Sequence, residues 1–227
     1  MNHPYLSFNL STTYKRKLVV GTSFRASDGN GLINKSVKNI EIPPVFNGMK
    51  VVELGFRCFC LTDIESVFIP NSIVLIRYAA LAICYKLTEV RFEAGGKSLE
   101  FQHHVFWESK SIKRIDFPFS VDNIAEVTNF FYQVSLDCFS YEGTHDFSSF
   151  VDFFNTVTNV YVSNNYPSST FAEKSITGRG KTCGVSKEHL ETPYKGIAYE
   201  IICYGKTACF TRTNRHFCFY IFLIIQS

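Results

Sequence analysis

A repeat limits what this chain can become more than any other feature. Short β-branched or aromatic segments, most followed by proline, recur as Ile40-Glu41-Ile42-Pro43, Val67-Phe68-Ile69-Pro70, Val90-Arg91-Phe92 and Ile115-Asp116-Phe117-Pro118. The intervals from residue 42 to 69, 92 and 117 are 27, 23 and 25, inside the window of about 20–50 residues that marks stacked repeats. Ile76, Ala80-Leu81, Cys84, Leu87, Val90 and Phe92 map without a gap onto Phe101, Val105-Phe106, Ser109, Ile112, Ile115 and Phe117. One unit earlier, Leu54-Gly55, Cys58-Phe59, Ile64, Val67 and Ile69 fit after deletion of one residue. Phe153-Phe154, Val157, Val160 and Val162 give a partial further match, and Val37, Ile40 and Ile42 end an earlier unit. Residues 119–149 depart from the pattern, with Cys138-Phe139-Ser140-Tyr141 as their candidate strand.

A unit of this length cannot bury its apolar side alone, so neighbours must stack. Each unit is read as one short strand, a turn and a helical or irregular return. The fold class expected is an α/β repeat: a solenoid of short parallel strands with an aromatic-ladder core and an irregular C-terminal tail. The chain holds 23 Phe and 12 Tyr against one Trp, a surplus that a column of stacked rings absorbs. Strand alternation sends Ile69, Phe92 and Phe117 inward, while Phe59, Leu81 and Phe106 come from the return side to complete the core. The residues between them face outward as two columns. One is Asn39, Ser66, Glu89, Arg114 and Asn159; the other is Glu41, Phe68, Arg91, Asp116 and Tyr161. Arg91 beside Asp116, and Glu89 beside Arg114, would pair across strands, each pair contributing about 0.2–1 kcal/mol. A solvated face with such local pairing is the plain reading; a concave protein-binding face, with Phe68 and Tyr161 as hot-spot residue types, is the functional one.

The pattern I-G-x-x-A-F-x-x-C-x-x-L-x-x-V-x-I-P resembles the leucine-rich repeat of BspA-like surface antigens, a family of oral bacteria and parasitic protists, over residues 32–174. The resemblance implies a cell-surface or secreted adhesion protein that binds host matrix or cell-surface proteins. Arg77 and Gln102 replace the repeat glycine, Ser109 the repeat cysteine and Leu81 the repeat phenylalanine. Residues 1–31 are expected to form an N-terminal segment or cap and 175–216 a linker or stalk, ahead of a short apolar tail at 217–227.

The ends carry little targeting information. Lys15-Arg16-Lys17 follows a polar stretch and precedes only Leu18-Val19-Val20, which does not read as a signal peptide. Phe217 to Ile225 is apolar throughout but too short for a spanning helix of about 20 residues. It reads as a terminal strand or aberrant tail, or as the stump of an anchor, which leaves membrane association open. A cytoplasmic scaffold using the same face is the alternative to the cell surface.

Chemistry of other kinds finds few candidates. With 23 basic and 20 acidic residues the formal charge is +3, no argument for nucleic acid. Gly178-Arg179-Gly180-Lys181-Thr182 ends like a phosphate-binding loop, but Ser175 stands where its first glycine belongs. The eight cysteines contain no CxxC pair; buried thiols are the expectation, with Cys58 and Cys60 on one strand face. Cys183, Cys203 and Cys209 lie outside the repeats and are free to pair in an oxidising compartment. His103-His104 would point to opposite sides of a strand, unfit for a shared metal. No cofactor is expected, and an enzyme with a dispersed Cys/His site is the least favoured reading. Asn9-Leu10-Ser11 and Asn34-Lys35-Ser36 are glycosylation sequons.

Overall fold

The computed structural model describes residues 3–95, 98–121 and 129–185, together with the backbone of three strands between 200 and 220. The strands begin with β1 (Phe8–Leu10), β2 (Leu18–Val20), β3 (Asn39–Glu41), β4 (Val45–Phe46), β5 (Met49–Leu54) and β6 (Ser66–Ile69). They continue with β7 (Leu75–Ile76), β8 (Glu89–Phe92), β9 (Glu100–Phe101), β10 (Arg114–Phe117), β11 (Phe131–Tyr141) and β12 (Phe154–Val162). β13 (Thr170–Phe171), β14 (Lys174–Ser175) and β15 (Gly178–Arg179) close the repeat region. β16 (Glu200–Tyr204), β17 (Thr207–Arg212) and β18 (Arg215–Tyr220) follow.

Each coil contributes strands to two parallel ladders. In the first, β3, β6 and β8 lie side by side, with Asn39, Ser66 and Glu89 in one row and Glu41, Phe68 and Arg91 in another. The same ladder position is continued by β10, β11, β12 and β15, which align Asp116, Ser140, Tyr161 and Gly178. Ile69 is in register with Phe92, and the Phe92 and Phe117 rings meet edge to face at 5.5 Å. The expected strand at Cys138–Tyr141 is the end of β11, aligned with Arg114–Phe117. The second ladder runs β2, β5, β7, β9 and places Leu54, Ile76 and Phe101 in one row, positions that the repeat pattern marks as part of the return.

The rest of the return is an arc, and here the α/β expectation is corrected: among the described residues there is no helix. Arg57 and Leu61, Ala79 and Ile83, His104 and Glu108, and Asn129 and Gln133 all adopt positive φ, between 49° and 65°. A right-handed helix admits no such residue. Each left-handed pair bends the chain twice, and the arcs stack through hydrogen bonds between coils. Phe59 N–H donates to Ala80 O at 2.9 Å, Leu81 N–H to Val105 O at 3.1 Å and Phe106 N–H to Phe130 O at 3.2 Å. Left-handed backbone costs about 1–2 kcal/mol per L-residue, and the ladder of intercoil bonds offsets it by satisfying every coil's backbone in the same way.

The interior between the ladders and the arc is filled by rings. Phe59, Ile69, Leu81, Phe92, Phe106 and Phe117 are all buried. Phe106 stacks on Phe131 at 5.4 Å and Phe131 on Phe154 at 5.9 Å, while Phe130 stacks on Phe153 at 5.1 Å. Phe139, Phe171, Tyr141, Phe147 and Tyr166 pack against one another at the far end of the stack.

The departures from the repeat have structural roles. Arg77, in place of the glycine, points its Nε at Glu53 Oε2, 2.7 Å away. The Glu53 side chain is fully buried and also accepts a hydrogen bond from Ser11 Oγ. Gln102 accepts the Tyr78 N–H at 3.0 Å. At Gly55, by contrast, a Cβ would lie 2.4 Å from Thr22 O, so that coil keeps its glycine. Cys84 Sγ donates to Phe59 O at 3.0 Å, and one coil on Ser109 Oγ donates to Leu81 O at 2.7 Å; the hydroxyl does the work of the thiol.

Residues 189–227 form a separate unit. In the tail expected to be irregular, β16, β17 and β18 pair antiparallel, with Ile201 opposite Phe210 and Phe210 opposite Phe217. Its β-branched and aromatic residues favour strands. No helix among the described residues is long and apolar enough to cross a membrane, and residues 221–227 lie outside them.

Truncating the ring that links successive arcs tests this packing. Phe106→Ala should lower the unfolding free energy by about 3–5 kcal/mol, the usual cost of a buried Phe, measured by denaturant titration; a loss below about 1 kcal/mol contradicts the stack.

Candidate protein-interaction face

The outward side of the first ladder carries the residues singled out by alternation, and it divides in two. On β3, β6 and β8 the face is open. Asn39 and Glu41 are exposed, and Ser66, Phe68, Glu89 and Arg91 are half-buried. Ser66 Oγ donates to Asn39 Oδ1 at 2.7 Å. Arg91 Nε lies 3.3 Å from Glu89 Oε1 on its own strand, an intrastrand pair where cross-strand pairing was expected. Phe68 stands between Glu41 and Arg91 in its row.

On β10, β11 and β12 the face is partly covered. Arg114 is exposed and Asn159 half-buried, on either side of Cys138 in their row. Tyr161, expected to be open, lies against the backbone of Gly178, where an added Cβ would meet its ring at 3.2 Å. Asp116, also expected to be outward and exposed, is only 2% exposed and Ser140 is 0%. The cover is the chain itself. Cys138 forms a disulfide with Cys183, 45 residues on. The N–H groups of Cys183 and Val185 each donate to the Asp116 carboxylate at 2.8 Å, one to Oδ1 and one to Oδ2, and Ser140 Oγ donates to Oδ1. Gly184 between them has φ +81°, a value open to glycine, and the two flanking N–H groups form a cradle that suits an anion. The expectation of a buried thiol is thus corrected at Cys138, while Cys183, left free to pair by its place outside the repeats, does pair. The sequence does not mark Cys138 as the partner, because Cys138 sits in the degenerate unit.

The remaining chemistry of the described residues is quiet. Cys58, Cys60 and Cys84 are free and buried. Cys58 and Cys60 do not share a strand face; they lie on an arc, Cys58 in the main core and Cys60 in a small cluster with Ala79 and Ala82. Burial pushes the Cys58 thiol strongly up, Cys60 to about 11 and Cys84 to about 12, the opposite of a nucleophilic cysteine. Cys203, Cys209 and Cys218 lie outside the described side chains. His104 packs against Tyr78 at 5.1 Å and Trp107 at 6.0 Å, and burial lowers its pKa. Among the described residues no three His, Cys, Asp or Glu side chains are grouped to hold a metal.

The architecture defines a leucine-rich-repeat solenoid, a fold whose repeats mediate protein–protein contact. A family model, the BspA type leucine rich repeat region, matches residues 33–156 in six copies. The chain belongs to that family. Two solved structures are similar to it: a leucine-rich repeat protein from Bacteroides capillosus and the T. pallidum leucine rich repeat protein. The first is 18% identical with a TM-score of 0.44, over 71% of this chain and 96% of that one. The second is 16% identical with a TM-score of 0.44, over 74% and 90%. Comparison with curated proteins finds no match.

The raised thiols make stability fall at alkaline pH. Between the ordinary thiol value of 9.0 and their own values, folded Cys60 and Cys84 keep protons that the unfolded chain releases. Stability should therefore be complete below about pH 9 and decline steadily toward pH 12, read from urea midpoints at successive pH values. A midpoint unchanged from pH 8 to 11 contradicts the burial of these thiols.

Proposed function

We propose that this chain is a non-catalytic recognition module of the surface-antigen or adhesin type, binding proteins of a host matrix or cell surface through the outward rows of β3, β6 and β8. The observation that carries the reading is Phe68, an aromatic ring held on the outward side of a rigid ladder and flanked in its row by Glu41 and Arg91. An aromatic anchor inside a charged rim is the composition of an interface hot spot. The Cys138–Cys183 disulfide supports work outside the cytosol, since such bonds are rare where thiols are kept reduced. The raised free thiols support a role without nucleophilic catalysis.

The test combines location with binding. Labelling of intact cells by a membrane-impermeant reagent should reach the chain without permeabilisation; protection until permeabilisation favours the intracellular scaffold. In adhesion of the purified chain to immobilised matrix protein, Phe68→Asp should weaken binding by about 30-fold or more, the scale of a hot-spot residue, with the melting temperature nearly unchanged. Equal adhesion of the variant excludes this face.

A further inference from the structure

The segment that covers Asp116 is not needed to close the solenoid. The far end of the stack is already sealed by Phe171, Phe147 and Tyr166, with the Arg179 guanidinium donating to Tyr166 O and Ser168 O at 2.6 Å each. From β15 the chain instead turns back along the outward side. It reaches Cys138 on β11 with Cys183 and Asp116 on β10 with Val185. What it supplies there is specific: two N–H donors, one for each oxygen of a carboxylate that is otherwise buried in the row Asp116, Ser140, Tyr161. Ser140 Oγ also donates to this carboxylate, but loss of the two strap N–H donors from so buried a charge is strongly unfavourable. Once the strap lifts, Asp116 is therefore a charged acceptor on the outward side of β10 with two hydrogen bonds to replace. Two parallel N–H donors to one carboxylate is also the pattern that a guanidinium makes.

We propose that residues 182–185 are a disulfide-latched stand-in for a partner, and that opening the latch lets Asp116 take an arginine side chain of a partner protein. This rests on the reading that the outward face binds proteins. The opening step is thiol–disulfide exchange with a dithiol reductant. One of its thiolates attacks a sulfur of the Cys138–Cys183 bond, and its second thiol displaces the mixed disulfide. The reductant leaves as a cyclic disulfide, and both cysteines are left as thiols.

The experiment uses Cys138 as its own reporter. In wild-type chain treated with dithiothreitol, Cys138 and Cys183 should become alkylated by iodoacetamide while the unfolding transition remains cooperative. Alkylation of Cys138 only under conditions that unfold the repeats overturns the latch. In the full chain carrying Cys183→Ser and Val185→Pro, which removes one strap thiol and one strap N–H, small disulfide probes are equilibrated with Cys138. The probes are the symmetric disulfides of acetyl-Cys-Gly-Arg-amide and of its citrulline and norleucine counterparts; the Cys138 thiolate attacks one sulfur, one peptide leaves as its thiol, and the captured peptide is read by mass spectrometry. The arginine probe should be captured at least tenfold more than either counterpart, and a further Asp116→Asn change should abolish the preference. Equal capture of the three probes overturns the arginine assignment. The Phe68→Asp adhesion result is independent of both arms, so failure here leaves the binding role of the open rows standing, and failure there does not alter these readouts.

Discussion

The structure depends on one constraint: every coil must present its backbone to the next in the same register, along the strands and around the arc alike. Once Phe59, Leu81 and Phe106 occupy equivalent arc positions joined by intercoil hydrogen bonds, their side chains fall into a column. The only way to fill such a column at interior density is with large groups that stack. The aromatic surplus is thus a consequence of the register and not its cause. The same register accounts for left-handed residues as unlike as Arg57, Ile83 and His104. The arc needs two bends per coil, and whatever side chain stands there must accept them.

Because the backbone fixes the geometry, the side chains of the repeat are interchangeable when their physical role is kept. Ser109 replaces a cysteine because both donate to the carbonyl of the preceding coil. Arg77 replaces a glycine because Glu53, one coil back, provides a buried carboxylate for it. That ion pair also ties the N-terminal residues to the ladder: Arg77 reaches Thr13 Oγ1 at 2.6 Å, and Ser11 Oγ and Ser23 Oγ donate to Glu53. Removing one partner of such a pair would strand the other as a buried charge.

Much of this was legible in the chain. The strands ending at Ile69, Phe92 and Phe117, the outward columns between them and the inward rings follow from period and alternation. What escaped did so for separate physical reasons. A left-handed φ in a non-glycine residue leaves no mark in composition, so the arc looked compatible with a helix. The second ladder was hidden because its strands at 75–76 and 100–101 are two residues long, shorter than any alternation can reveal. Asp116 followed the outward rule in direction but not in exposure, since its cover arrives from 67 residues away. The Arg91–Glu89 pair differed from expectation because β8 and β10 meet through rings and not through a continuous ladder.

On the functional side, a rigid ladder presents one half of its outward surface open and holds the other half under a strap. In the proposed reading, that division sets an aromatic anchor on the open half and a carboxylate, released by opening a covalent bond, on the other. Both features presuppose that coils stack in the register described, and contacts between rings in an isotope-labelled sample measure it most directly. Nuclear Overhauser contacts should join Ile69 methyls to the Phe92 ring and the Phe106 ring to the Phe131 ring, partners one coil apart. Contacts confined to residues three or four positions apart, as a helical return would give, would contradict the account.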